Sequence, residues 1–149
     1  MNIGKYKIGC KYEPFIIAEM SGNHNQSIER AFSIIEAAKK SGANALKIQT
    51  YTAETMTLPI KSKRFTVNDK DNIWEGENLY NLYQKAYTPW EWHERIFKKA
   101  KELNLICFST PFDETAVDFL EGLDVPAYKI ASFEITHFPL IIKIAKTKK

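Results

Sequence analysis

An α/β fold with a parallel sheet is what this sequence predicts, and two observations predict it. Short apolar runs alternate four times with amphipathic segments of helical spacing. Each run also ends in polar or charged residues, as strands do where their carboxyl ends carry a site. Parallel neighbours need a helical crossover to return the chain, so four strand–helix units in a row fit either a doubly wound open sheet or a (β/α)8 barrel. A whole barrel takes about 250 residues. A chain of 149 residues is expected to form only its first half.

Taken in order, "FIIAE" at 15–19 reads as a buried strand. Ser27 then offers an N-cap, and Ile28, Ala31, Phe32, Ile35 and Ala38 recur at helical spacing until Gly42 stops the helix. "ALKIQ" at 45–49 is the second strand, followed by a long stretch at 50–87 rich in aromatic and polar residues. "TPWE" at 88–91 has the form of a capping box, with Thr88 as cap, Pro89 in the first helical position and Glu91 three residues after the cap. That helix runs to about 103. "LICFS" at 105–109 is the third strand, Asp113 caps "ETAVDFLEGL", and "AYKIA" at 127–131 is the fourth strand. The amphipathic "PLIIKIAKTKK" closes the chain.

Composition excludes several classes. A formal net charge of +3, spread over helix faces with one basic run at 146–149, argues against nucleic acid. The apolar fraction of 44% is that of a globular protein. No run approaches the ~18 apolar residues that a membrane span needs, and no signal peptide is legible, so the expected compartment is the cytoplasm. Cys10 and Cys107 lack metal-type spacing; Cys107, inside a strand run, is expected to be a buried reduced thiol.

The polar residues at the strand ends carry the chemistry. Glu19 ends the first run, Lys47 and Gln49 lie in the second, Ser109 and Thr110 end the third, and Lys129 leads into Ser132 and Glu134. Two ammonium groups with nearby hydroxyls suit a phosphate or carboxylate, while Glu19 and Glu134 can move protons or hold sugar hydroxyls. The loop "SGNHNQ" at 21–26 becomes the first rim loop, with Gly22 and the asparagines permitting unusual backbone angles. His24 reads as a hydrogen bonder that orders this loop, His93 as a surface residue and His137 as part of an entry turn. The aromatic stretch at 74–92 reads as packing. Neither a GxGxxG nor a P-loop is present.

The segments "IIAEMSGNHNQS", "ANALKIQTYTAETMTL", "LYNLYQKAYTPWEWH" and "FSTPFDETAVDFLEGLDVPAYKIASFE" together resemble the sialic acid synthase family. They are most similar to its pseudaminic acid synthase branch, on the strength of "SGNHNQS" and "YTPWEWH". The resemblance implies a (β/α)8 barrel followed by an antifreeze-like domain, of which residues 1–149 would be the N-terminal portion of the barrel. It implies condensation of phosphoenolpyruvate with an amino sugar, 2,4-diacetamido-2,4,6-trideoxy-L-altrose in this branch, in a homodimer that uses divalent Mn or Mg. By motif, Lys47 and Lys129 would hold phosphoenolpyruvate with Thr110 and Ser132. Glu19, Gln49 and Glu134 would serve the sugar side, Glu19 as a candidate for proton transfer. No metal ligand is assigned, because the family's metal-binding histidines fall on later strands. The 149-residue form is therefore expected to be inactive alone. Other readings stay open: N-acetylneuraminate or legionaminic acid synthesis, a Schiff-base aldolase using Lys47 or Lys129, or a non-catalytic half-barrel that pairs with a partner.

Overall fold

Alternation along a few short strands sets this architecture. The computed structural model describes residues 2–149. It opens with a hairpin the periodicity did not announce, β1 (Asn2–Ile3) against β2 (Tyr6–Lys7). A parallel sheet follows in the order β3 (Ile17–Glu19), β4 (Ala45–Thr50) and β5 (Ile106–Pro111). Its register pairs Glu19 with Lys47, Lys47 with Phe108, and Gln49 with Thr110. The first strand is shorter than its apolar run. At Ile16 the backbone N–H donates to the Asn44 side chain at 2.7 Å, so a loop residue takes the place of a ladder rung.

The helices follow the expected crossovers. In α1 (Ile28–Lys40), the Ser27 hydroxyl accepts from Arg30 N–H, and Gly42 at φ +84° ends the helix. The long connection contains two short helices, α2 (Ala53–Met56) and α3 (Leu79–Ala86). After α4 (Trp90–Glu102) and β5, Asp113 caps α5 (Glu114–Gly122) by accepting from Thr115 and Ala116 N–H. The chain ends in α6 (Phe138–Lys146).

One face of the sheet packs on α1 and α4. Met20, Leu46, Ile48 and Cys107 meet Ile28, Ala31, Ile35, Ile96 and Ala100, forming the main core. Removal of this apolar surface from water is the principal stabilising term, at roughly 1.5–3 kcal/mol for each large side chain. Cys107 is a free thiol inside it, as expected. A smaller cluster of Val117, Leu140 and Ile144 with Tyr128 joins α5 to α6.

Two expectations about elements fail, each for a stated cause. The fourth strand is reduced to a single parallel bridge, Tyr128 to Ser109, with Lys129 N–H donating to Ser109 O at 3.1 Å. Amides facing one neighbour come from alternate residues in a parallel strand, so after Ser109 the next to face this segment is Pro111. Proline has no N–H to give, and the ladder stops. Nor does Thr88 cap α4. The N-cap position falls to Pro89, and the Thr88 hydroxyl is engaged elsewhere.

Candidate active site

Strand alternation sends consecutive residues to opposite faces. Leu46, Ile48 and Thr50 point at the helices, so Lys47 and Gln49 point the other way, into what would be a barrel interior. Register adds Glu19 from β3 and Thr110 from β5 to that face. Tyr128 is level with helix-facing Ser109 and packs toward α5 and α6, so Lys129 alternates to the face of Lys47. Alternation puts the two lysines on one side of the sheet, Lys47 at the third of the six positions of β4 and Lys129 one residue past the Tyr128–Ser109 bridge.

The contacts there are sparse and charged. Lys47 Nζ lies 3.3 Å from a Glu19 carboxylate oxygen, with the lysine side chain 8% exposed and the glutamate 63%. An ammonium group this deep needs a partner to replace water, and the Glu19 carboxylate supplies it. Ser21 donates its hydroxyl to Gln49 Oε1 at 3.0 Å, which leaves both amide N–H donors of Gln49 for the mouth. Thr110 is 1% exposed, and its Oγ1 has no hydrogen-bond partner. A buried hydroxyl without a partner costs about 1–3 kcal/mol, a cost that a ligand can remove.

Ser132 and Glu134 sit on a 3-10 turn immediately after Lys129. The turn is brought to the same rim by Ala131, which packs with Tyr51 and Phe112 just past the ends of β4 and β5. One carboxylate oxygen of Glu134 is buried and unpartnered as well. Among the described residues, no hydrogen bond or ion pair joins the side chains of Lys129, Ser132 or Glu134 to the Glu19–Lys47 pair. The structure thus pairs Glu19 with Lys47, sets Gln49 and Thr110 on the same face by register, and joins none of the remaining three to them by a side-chain hydrogen bond or ion pair.

The rim loop and the histidines differ from expectation in detail. Asn25 does adopt φ +45°, joined by Ser21 and Gln26, but Gly22 has no positive φ. It is small for another reason: an added Cβ would come 2.9 Å from Ala86 O. His24 orders the loop as expected. Gln26 N–H donates to its Nδ1 at 3.2 Å, so the proton is on Nε2, which donates to Thr88 Oγ1 at 3.1 Å. Burial holds its pKa below the usual imidazole range. His93 is not at the surface. It is fully buried, and desolvation lowers its pKa to about 4. Its Nδ1–H donates to Pro89 O at 3.1 Å, leaving Nε2 to accept from the Thr50 hydroxyl at 2.8 Å. Thr50 in turn accepts from the Ser109 hydroxyl at 2.6 Å. His137 occupies the N-cap position of α6 without a side-chain cap bond, and its Nε2 lies 3.9 Å from Glu114.

Neither buried histidine is free to bind a metal, and the described residues contain no group of three or more His, Cys, Asp or Glu that could hold one. No helix among them is long and apolar enough to cross a membrane. Part of the aromatic stretch packs as expected, with Tyr83 edge-on to Tyr51 and Trp90 stacked on Phe119, while Trp74 at its start is exposed.

Comparison with known proteins identifies the family and the fold. A family model described as "NeuB family" matches residues 34–149. The chain is 49% identical over 136 residues to the pseudaminic acid synthase of Helicobacter pylori, covering 91% of this chain and 39% of that one. Identity to the N,N'-diacetyllegionaminic acid synthase of Legionella pneumophila is 37% over 140 residues, covering 94% and 39%. The crystal structure of an N-acetylneuraminic acid synthetase from Leptospira borgpetersenii superposes with a TM-score of 0.79 at 30% identity, covering 98% of this chain and 46% of that one. The chain thus spans about two fifths of the curated relatives' length, and its parallel sheet is part of a TIM-type barrel. With the family model covering most of its residues, the chain belongs to the NeuB family.

Proposed function

We propose that this chain carries the phosphoenolpyruvate-binding part of a nonulosonic acid synthase of the pseudaminic acid type. The observation that carries the reading is the inner-face group at the strand ends: buried Lys47 held by Glu19, with the unpartnered Thr110 hydroxyl one step along the register. A dianionic phosphate and a carboxylate need cations and donors in a partly dry site, where their electrostatic effect is largest. Lys47, Lys129, Thr110 and Ser132 supply them. Glu19, Gln49 and Glu134 offer acceptors and donors to a polyhydroxylated amino sugar.

In the reaction, C3 of phosphoenolpyruvate attacks the sugar aldehyde carbon. The aldehyde oxygen takes up a proton as the C–C bond forms. Water adds at C2 and gives up a proton, and the tetrahedral intermediate loses phosphate by C–O cleavage to leave the 2-keto acid. Glu19 is the group placed to carry the proton between water and the mouth. A divalent cation, expected from the resemblance, finds no ligand set among the described residues.

The Schiff-base alternative is disfavoured for Lys47, whose ammonium is held by the Glu19 carboxylate, and stays open for Lys129. Among sugars, the higher identity to the pseudaminic acid synthase supports the L-altrose derivative over the legionaminic precursor. Saturation-transfer NMR and borohydride trapping on the chain test the phosphoenolpyruvate site and the Schiff-base alternative. Phosphoenolpyruvate is expected to show transfer and pyruvate none, and borohydride with pyruvate is expected to leave no covalent adduct. A trapped lysine adduct would replace this reading with the aldolase one.

A further inference from the structure

We infer that the six residues 88–93 brace the β3–β5 side of the mouth, with Thr88, Trp90 and His93 as positioning residues for Gln49 and Thr110. The inference rests on the mouth being the phosphoenolpyruvate site. It goes further by assigning its geometry to side chains that touch no substrate.

Nearly every element around the mouth is tied to this short segment. The rim loop after β3 reaches it through His24, whose Nε2–H donates to Thr88 Oγ1. The same loop meets the residues just before the segment, where Gln26 donates to Lys85 O and Tyr87 O at 3.0 and 2.7 Å and Gly22 lies against Ala86 O. The end of β4 reaches it twice. Trp90 Nε1–H donates to Tyr51 O at 3.2 Å, and Thr50 donates to His93. β5 joins through Ser109, and α5 through Phe119, whose ring packs on Trp90 and His93 with centroids 4.7 and 5.3 Å away.

These bonds act where the backbone ladder gives out. Thr50 is the last residue of β4, paired in register with Pro111. The Ser109–Thr50–His93 chain therefore cross-links the pair at its final residues. Each donor in it is committed: Nδ1–H to Pro89 O, the Thr50 proton to His93, and the Ser109 proton to Thr50 rather than to Ile48 O at 3.2 Å. Thr50, Thr88, His93 and Ser109 are all 1% exposed or less, so water offers no substitute partner. Because neighbouring residues of a strand face opposite ways, fixing Thr50 and Ser109 on the helix side sets Gln49 and Thr110 on the mouth side. Misplacing a binding group by about 1 Å can cost about 100-fold.

The test pairs Thr50→Val and Thr88→Val, which keep the shape and lose the hydroxyl, with Thr50→Ser and Thr88→Ser, which keep it. Hydrogen–deuterium exchange and phosphoenolpyruvate titration are read on each, with urea unfolding to verify the fold. Thr88→Val is expected to speed exchange in residues 21–27, and Thr50→Val at the ends of β4 and β5, by about 10-fold each. Both should weaken phosphoenolpyruvate about 10-fold, and the serine variants should restore exchange and affinity. His93→Gln, read the same way, replaces any valine variant that does not fold. Folded valine variants with wild-type exchange and affinity, or serine variants no better than valine, would overturn the brace. If the wild-type chain does not bind phosphoenolpyruvate, the site reading falls, while the exchange results still decide the brace.

Discussion

The two faces of one three-stranded sheet treat polar residues in opposite ways. On the helix side Thr50, Ser109, His93 and, at the rim, His24 and Thr88 are buried, and each has a hydrogen-bond partner. On the mouth side, Lys47 is paired with a largely solvated carboxylate, Gln49 keeps its amide donors free, and the Thr110 hydroxyl has no partner. Sequence neighbours thus divide the work. Thr50 is satisfied and structural while Gln49 is open; Ser109 is satisfied while Thr110 is open. Buried polar groups with complete partners specify a structure, and those left incomplete mark where a ligand completes them.

The largest effect expected from the satisfied side comes from His93. Its folded pKa of about 4 lies below an unfolded value of about 6.5, so the unfolded chain binds the proton first as pH falls. The stabilising effect is complete above about pH 6.5 and is lost progressively down to about pH 4, amounting to about 3 kcal/mol. Urea unfolding of His93→Gln should show that part of the acid dependence flattened; an unchanged acid limb would erase the proposed contrast between the faces. Thr110→Val sharpens the contrast from the other side. Removing an unpartnered buried hydroxyl should raise stability by about 1 kcal/mol while weakening phosphoenolpyruvate about 10-fold. Thermal unfolding and calorimetric titration of this one variant read the two signs together. The same change on the helix side, Thr50→Val, should lose on both counts.

The smallest effect is a control away from both faces. Lys143 and Asp118 join α6 to α5 at 2.5 Å, with the aspartate 68% exposed. Solvent screening limits such a pair, and Asp118→Asn should change stability by less than about 0.5 kcal/mol. A larger loss would mean that α6 is held by charge rather than by Leu140 and Ile144.

The open face was easier to read from sequence than the closed one. Charges at the end of an apolar run, such as Glu19, or inside one, such as Lys47, contradict their surroundings and stand out. His93 did not, since a histidine in an amphipathic helix looks like one more polar residue. Its signal was available all the same: residues 93, 96 and 100 fall on one helical stripe, and Ile96 and Ala100 are core. Thr88 misled for a related reason. The "TPWE" pattern fits a helix cap, but a buried partner 64 residues away, His24, took the hydroxyl. The failed fourth strand needed information that local pattern lacks. Pro111 is visible in the sequence, yet its effect depends on which neighbour its missing N–H would have faced.

A double-mutant cycle in phosphoenolpyruvate affinity probes the mouth most directly. Titration calorimetry on the wild-type chain, Lys47→Met, Lys129→Met and the double variant should show each single change weakening binding about 10-fold or more, with the double change costing less than their sum. Both ammonium groups would then grip one dianion. If Lys129→Met bound as tightly as wild type, or the two changes simply added, the lysines would not share a ligand, and the common mouth argued from strand register would be wrong.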